Sequence, residues 1–384
     1  MNYKPNWKKR FKRNWKTWLL SLAMALILLS GGLSTVLRSN RAAARRQQTA
    51  PTTTPAVPET TSTPPATVTS TPVMSSALTI QPRFSRAKNF SEELAAVQIG
   101  EKWGYIDKNG QVVILPTFDQ AGDFSEGLAW VQVGQKTGYI DPTGQLVIQP
   151  QFDHAKAFAD EVAAVEINHK WGYIDQRGTV VIEAIFDQAD TFAEGLALVK
   201  KGDKWGYIDR TGAVVIDPDF TGAWDFAGGL AWIIEDGRRG YIDPSGKLVI
   251  EPKFDYAWNF SEGLAPVEID QKWGYIDPNG QNVIEPQFEK AWSFSEGLAP
   301  VQINGRWGYI DPSGKLVISP QFDEGEPFSE GLARVLVYGQ WGFIDQAGTL
   351  VFQPQFDRAE PLVEGMAAVK IGDKWGYVSK SQAK

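Results

Sequence analysis

The sequence predicts an all-β fold built from nine tandem units, and three observations carry that prediction. A Trp-Gly-Tyr-Ile-Asp-like pentad recurs with its glycine at Gly104, Gly138, Gly172, Gly206, Gly240, Gly274, Gly308, Gly342 and Gly376, always 34 residues apart. A fixed period of this length marks one supersecondary unit stacked many times. Each unit also holds three short apolar runs, at 128–133, 138–141 and 146–148 in the second copy, rich in residues that suit a pleated, half-buried surface. Finally, Asp-x-x-Gly joins the last two runs, as at Asp141 to Gly144. Asp first, Pro second and Gly fourth suit a type I turn followed by a residue at positive φ.

A 34-residue period also belongs to helical tetratricopeptide arrays. Residues 151–170 alone could pass for a helix, but the other copies place Gly127, Gly195, Gly229, Gly263, Gly297, Gly331 and Gly365 in its middle. Glycine there costs about 1 kcal/mol per copy relative to alanine, so register across the copies decides for strands. Residues 116–124 are less distinct and fit either a short fourth strand or one helical turn. Pro116 and its equivalents precede that stretch and require an edge or a bend for the missing N–H.

Lys102-Trp103-Gly104-Tyr105-Ile106-Asp107, followed by Gly110 and Val112-Val113-Ile114, resembles the WG-containing β-repeat family of bacterial proteins. The resemblance covers residues 78–378. All nine units keep the glycine and seven keep the tryptophan, with Thr137 and Arg239 in the other two. It implies a β-repeat domain and lends no catalytic residues.

Trp103 and Tyr105 point to one pleat face, and Ile106 and the bare Gly104 to the other, which suits a sheet held between two neighbours. The last unit lacks a Val-Ile run after Tyr377-Val378, whereas Leu78-Thr79-Ile80 sits at that phase ahead of the first unit. The N-terminal run is thus expected to supply the missing strand and close a propeller-like ring. The alternative is an open β-solenoid, since nine blades exceed the typical four to eight and 34 residues is short for a four-stranded blade.

The array occupies residues 77–384. Ahead of it lie a basic segment at 1–16, an uncharged apolar stretch at 17–37 and a Thr/Ser/Pro-rich stretch at 38–76. Twenty-one uncharged residues are long enough to span a hydrocarbon core. Basic residues denser before than after it place the N-terminus inside. The expectation is a single-pass anchor in the cytoplasmic membrane carrying the repeats outside it, with secretion after signal cleavage as the alternative. The linker has too little apolar surface to order itself.

Residues 77–384 hold 27 Lys/Arg against 44 Asp/Glu, a poor match for nucleic acid. The chain has no cysteine, so no thiolate chemistry or cysteine metal site is open to it. The unit acids recur with equal status, and the two histidines, His154 and His169, sit at variable positions of one unit. No phosphate loop, nucleophile elbow or metal-ligand spacing is present. No catalytic residue, metal or cofactor is therefore expected. A hydrolase using one unit acid is the reading least supported.

One variable position stands out. It holds Trp224, Trp258 and Trp292 in three successive units, and Lys88, Gly122, Lys156, Asp190, Glu326 and Glu360 elsewhere. Tolerance of charge places it at the surface, and clustered exposed indoles suit a sugar ring or a partner side chain. The bland alternative is packing against the neighbouring unit. Trp130 and Trp232 share another variable position, expected to be edge packing, and the repeated WG tryptophan is expected in the core. The cation before that tryptophan is expected to pair with the acids at 92, 126, 194, 262, 296, 330 or 364. The functional expectation is a non-catalytic binding module for an envelope polysaccharide or protein, with a structural scaffold for protein assembly as the alternative.

Overall fold

The computed structural model describes residues 78–382. The basic segment 1–16, the apolar stretch 17–37 and the linker 38–76 lie outside the described residues. Among the described residues no helix is long and apolar enough to cross a membrane.

Nine antiparallel four-stranded sheets make up the rest, one per unit. The blades span residues 86–118, 120–152, 154–186, 188–220, 222–254, 256–288, 290–322 and 324–356, and the ninth joins 358–379 to 80–84. Blade 2 shows the pattern, with strands Gln120–Ala121, Ala129–Val133, Lys136–Ile140 and Leu146–Phe152. Ser125 and Leu128 exchange both backbone hydrogen bonds around Glu126 at φ 55° and Gly127 at φ 80°, the two-residue turn whose twist matches the strands. At the last junction of the blade Gly144 sits at φ 85° and donates its N–H to the Asp141 carbonyl. The Asp141 carboxylate accepts from the N–H groups of Thr143 and Gln145. The repeated aspartate is thus consumed by its own turn.

In the stretch 116–124, residues 116–118 and 120–121 are strand and 122–124 are irregular, with no helical turn. Pro116 lies inside Val112–Phe118, and only Asp119 separates that strand from Gln120–Ala121 of the next blade. The proline therefore sits near the end of one blade instead of opening a unit. Tyr105 pairs with Ile114 but Trp103 pairs with Phe118, so four steps on one strand oppose two on the other. This bulge, on a strand at the sheet edge, absorbs the proline without loss of a ladder hydrogen bond. It also presses the chain onto Gly104, where a Cβ would lie 2.4 Å from the Ile114 carbonyl oxygen and 2.8 Å from the Pro116 nitrogen. The central glycine of the pentad answers to this approach.

The ring closes as expected and the open solenoid does not form. Strand Ile80–Phe84 completes blade 9, pairing Ile80 with Tyr377 and Phe84 with Trp375. That is the register of Ile114 on Tyr105 and Phe118 on Trp103. The core is divided among nine clusters, each between two adjacent blades. At the first interface Trp103, Tyr105, Ile114 and Phe118 pack on Ala121, Phe124, Val131 and Ile140. At the seam Ile80, Phe84 and Tyr377 meet Phe90, Ala95, Val97 and Ile106 in the same way. No blade buries its apolar faces alone, so stability is shared along the array.

Polar ties repeat at the same interfaces. Ser91, Ser125, Ser261, Ser295 and Ser329 donate to a carbonyl of the following blade. The glutamates of the Ser-Glu-Gly turns do not pair with the WG-preceding cations, contrary to expectation. Glu92, Glu126, Glu194, Glu262, Glu296 and Glu330 accept backbone N–H groups from the next blade's turn, and Glu364 accepts those of Glu92 and Glu93 across the seam. Lys102, Lys136 and Lys170 reach Asp119, Asp153 and Asp187 at 2.5 to 2.6 Å, and Arg238 and Arg306 pair with Asp255 and Asp323. The register decides this, since Trp103 opposite Phe118 sets Lys102 beside Asp119.

Candidate functional site

The position holding Lys88, Gly122, Lys156, Asp190, Trp224, Trp258, Trp292, Glu326 and Glu360 forms a belt of one residue per blade. Its backbone is fixed from both sides. The Tyr105 hydroxyl donates to the Gly122 carbonyl at 2.8 Å, and Tyr139, Tyr173, Tyr207, Tyr241, Tyr275 and Tyr309 do the same one blade on. Tyr377 donates to Lys88 across the seam. Burial holds these phenols well above their ordinary pKa, so they remain donors. Blade 8 carries Phe343 and lacks this bond. On the other side the N–H of Trp224 donates to Trp232, Trp258 to Pro266 and Trp292 to Pro300, each at 3.1 Å. With its backbone pinned, the position can change side chain from Gly to Trp without disturbing the frame.

Three successive blades use it for indoles. Trp224 is 51% exposed and stacks on Trp232 of its own blade, with ring centroids 5.3 Å apart and planes 10° from parallel. Trp258 is 40% exposed and meets Trp292 of the next blade at 5.7 Å with a 41° tilt. Trp292 is half-buried and lies over Trp307 at 6.5 Å. The structure therefore joins Trp258 to Trp292, exposes two of the three indoles and packs the third against its own blade.

Between Trp224 and Trp258 lies a feature that the tryptophan count alone passes over. Blade 5 has Arg239 where seven other blades carry the WG tryptophan. Its guanidinium carbon sits 5.6 Å from the Trp232 ring and 4.1 Å from that of Tyr256 in blade 6, and it donates to the Asp255 carbonyl. Tyr256 is 53% exposed. Trp224, Trp232, Arg239 and Tyr256 form one stacked series, and Trp258, tilted onto the stacked Trp292 and Trp307, forms a second aromatic group. Guanidinium–aromatic stacking holds the junction. The break of the pentad at Arg239 was the available signal. Trp232 is buried, as edge packing requires, whereas Trp130 is only half-buried.

Elsewhere on the belt the chemistry is ionic. Lys156 bridges to Asp190 of the next blade at 2.6 Å. Arg334 lies between Glu326 and Glu360, at 3.8 and 3.7 Å. Asp225, beside Trp224, has a buried Oδ1 with no hydrogen-bond partner. Burial, then the Asp190 charge, push its pKa from 3.8 up to about 6, against the pull of Lys156. A raised carboxyl pKa means the folded state holds more protons than the unfolded one between about pH 4 and 6, so stability falls as pH rises through that window. Asn89 and Asn259 occupy the same position in blades 1 and 6. Asp225→Asn is therefore expected to raise the denaturation midpoint at pH 7 and to leave it nearly unchanged at pH 4; equal midpoints at both would contradict this.

The histidines are exposed, at 70% for the His154 side chain and 94% for that of His169. No group of three or more His, Asp or Glu side chains among the described residues is arranged to hold a metal.

Comparison with known proteins bears on the frame. The family model described as WG containing repeat matches nine consecutive segments, from 78–103 and 103–136 through to 341–375. No curated protein matches. Among solved structures, one described as the eukaryotic initiation factor is similar over 71% of this chain and 88% of its own, at 12% identity and a TM-score of 0.53. PorZ, a bacterial surface component of the type-IX secretion system of Porphyromonas gingivalis, is matched over 79% of this chain and 46% of its own, at 11% identity and a TM-score of 0.32. The dihydro-heme d1 dehydrogenase NirN is matched over 71% and 75%, at 13% identity and a TM-score of 0.41. At such identities the first likeness concerns the fold alone, and the other two carry no further weight.

Proposed function

We propose a non-catalytic role for this chain, which belongs to the WG-containing repeat family: a binding module held outside the cytoplasmic membrane by the apolar stretch 17–37, with an envelope glycan as its ligand. One observation carries the reading. Blades 5 and 6 present Trp224, Tyr256 and Trp258 as exposed rings, the backbone of both tryptophans held by a buried tyrosine, backed by Trp232, Arg239 and, from blade 7, Trp292. Flat, pre-ordered aromatic faces bury area with little entropy loss and suit the C–H faces of pyranose rings. The exposed rings cover two adjacent blades and the tract runs on to a third through Trp292, a span that favours a polymer over a small molecule.

The absence of catalysis in this reading rests on use. The turn aspartates Asp107, Asp141, Asp175, Asp209, Asp243, Asp277, Asp311 and Asp345 are held by their own turns, and seven of the turn glutamates by neighbouring backbone. An active site would break the repeat with a distinct acid–base pair.

The test is retention of the full-length protein on isolated cell-wall polysaccharide. Changing Trp224, Trp258 and Trp292 together to Ala is expected to weaken retention at least tenfold, a loss of about 1.4 kcal/mol. Unchanged retention by a folded triple variant would remove the glycan reading. Stoichiometric capture of a protein through the same surface would then favour an assembly scaffold.

A further inference from the structure

A second region of the ring carries a different chemistry. An open cleft of about 780 Å³ runs across blades 9, 1 and 2. Its apolar walls are Trp103, Trp130 and Trp375, and its charged rim is Arg86, Arg358 and Lys370. Lys88 projects into it with Nζ 5.3 Å from the Trp130 ring and 3.7 Å from Asp123. The single carboxylate in its lining, Asp119, is already engaged by Lys102 and by the N–H of Gly134.

The cleft gathers cations that lack acidic partners. Residues 77–384 are net acidic, yet among the described residues Arg86, Arg358 and Lys370 have no carboxylate within ion-pair distance. Arg358 and Lys370 stand directly opposite one another on neighbouring strands. Like charges at such a cross-strand site are destabilising. An anion seated between them would remove the repulsion and make charge-assisted hydrogen bonds to both. The half-buried Trp130 and Trp375 beside the cations add faces on which a ring can lie. The acidic body opposes a long, densely charged polyanion such as nucleic acid.

We propose that this cleft binds an acidic saccharide, its carboxylate between Arg358, Lys370 and Arg86 and its ring faces against Trp130 and Trp375. The site is independent of the aromatic tract on blades 5 to 7. Each has its own chemistry and lies on different blades of the ring.

Calorimetric titration of the full-length protein with a galacturonic acid tetramer tests it. The tetramer is expected to bind, its methyl ester at least tenfold more weakly, and added salt to weaken the acid form. The double variant Arg358→Gln, Lys370→Gln is expected to lose tenfold or more in affinity. Both side chains are solvent-accessible and the change removes their repulsion, so a thermal midpoint that is not lowered verifies folding. The variant with Trp224, Trp258 and Trp292 changed to Ala is expected to bind the tetramer normally. Equal binding of acid and ester, undiminished affinity in the double variant, or loss of binding in the triple tryptophan variant would each overturn the assignment. Binding of a glycerol phosphate tetramer in place of the uronate would overturn it in favour of a phosphate-bearing polymer.

Discussion

Deleting residues 78–84 is expected to open the ring and lower stability by several kcal/mol. Ile80 and Phe84 are almost wholly buried in the seam cluster. Removing two such side chains forfeits about 1.5 to 3 kcal/mol each in transfer free energy. The deletion also exposes Lys374–Ser379 as an unpaired edge and bares the Tyr377 face toward Phe90. Blades 9 and 1 would then have one neighbour each, and end units of an open array fray first. The expected result in denaturant is a lower midpoint with a broader or biphasic transition, and greater aggregation from the free edge. Ile80→Ala separates the contributions. It keeps the strand and is expected to cost about 2 to 5 kcal/mol with the transition still single. An unaltered midpoint after the deletion would mean that the seam is not a structural joint.

Gly240→Ala is the second large expectation. A Cβ there would fall 2.5 Å from the Ile250 carbonyl oxygen and 2.7 Å from the Pro252 nitrogen. Both are backbone atoms locked in a bulge, so the strand must move. Overpacking of this kind costs about 1 to 3 kcal/mol and occasionally more; with every close contact a backbone atom, the upper end is expected. Gly263 is the comparison. It has open space around a Cβ but a φ of 80°, so Gly263→Ala is expected to cost only about 1 to 2 kcal/mol of conformational strain. Equal losses at the two sites, measured by chemical denaturation, would remove close approach as the reason for the pentad glycine.

The same bulge explains what could be read from the chain and what could not. Unit number, strand type and the Asp-x-x-Gly turn follow from residues agreeing across copies at one spacing. Closure followed from Leu78-Thr79-Ile80 standing at the phase of Val112-Val113-Ile114. The unit boundary did not follow, because a proline reads as a break although the bulge holds it inside a strand. The partner of Lys102 was hidden for the same reason. Only the four-against-two pairing of residues 114–118 with 103–105 brings Asp119 to it. At the candidate site, the row of Trp224, Trp258 and Trp292 was visible as a variable position. That Trp292 is covered by Trp307, and that Arg239 is sandwiched between Trp232 and Tyr256, are contacts between strands and between blades that spacing does not encode.

The pairing of Ile80 with Tyr377 also sets an order of events. The strand synthesised first finds its partner only after about 300 further residues have been made, at roughly 5 to 20 residues per second. Until then the nascent chain can stack its blades in sequence, but it carries an unmatched segment at its leading end. The final step is a single contact of very large sequence separation, which loop-closure entropy makes slow. Maturation of the ring thus waits for the strand Lys374–Ser379 to be made.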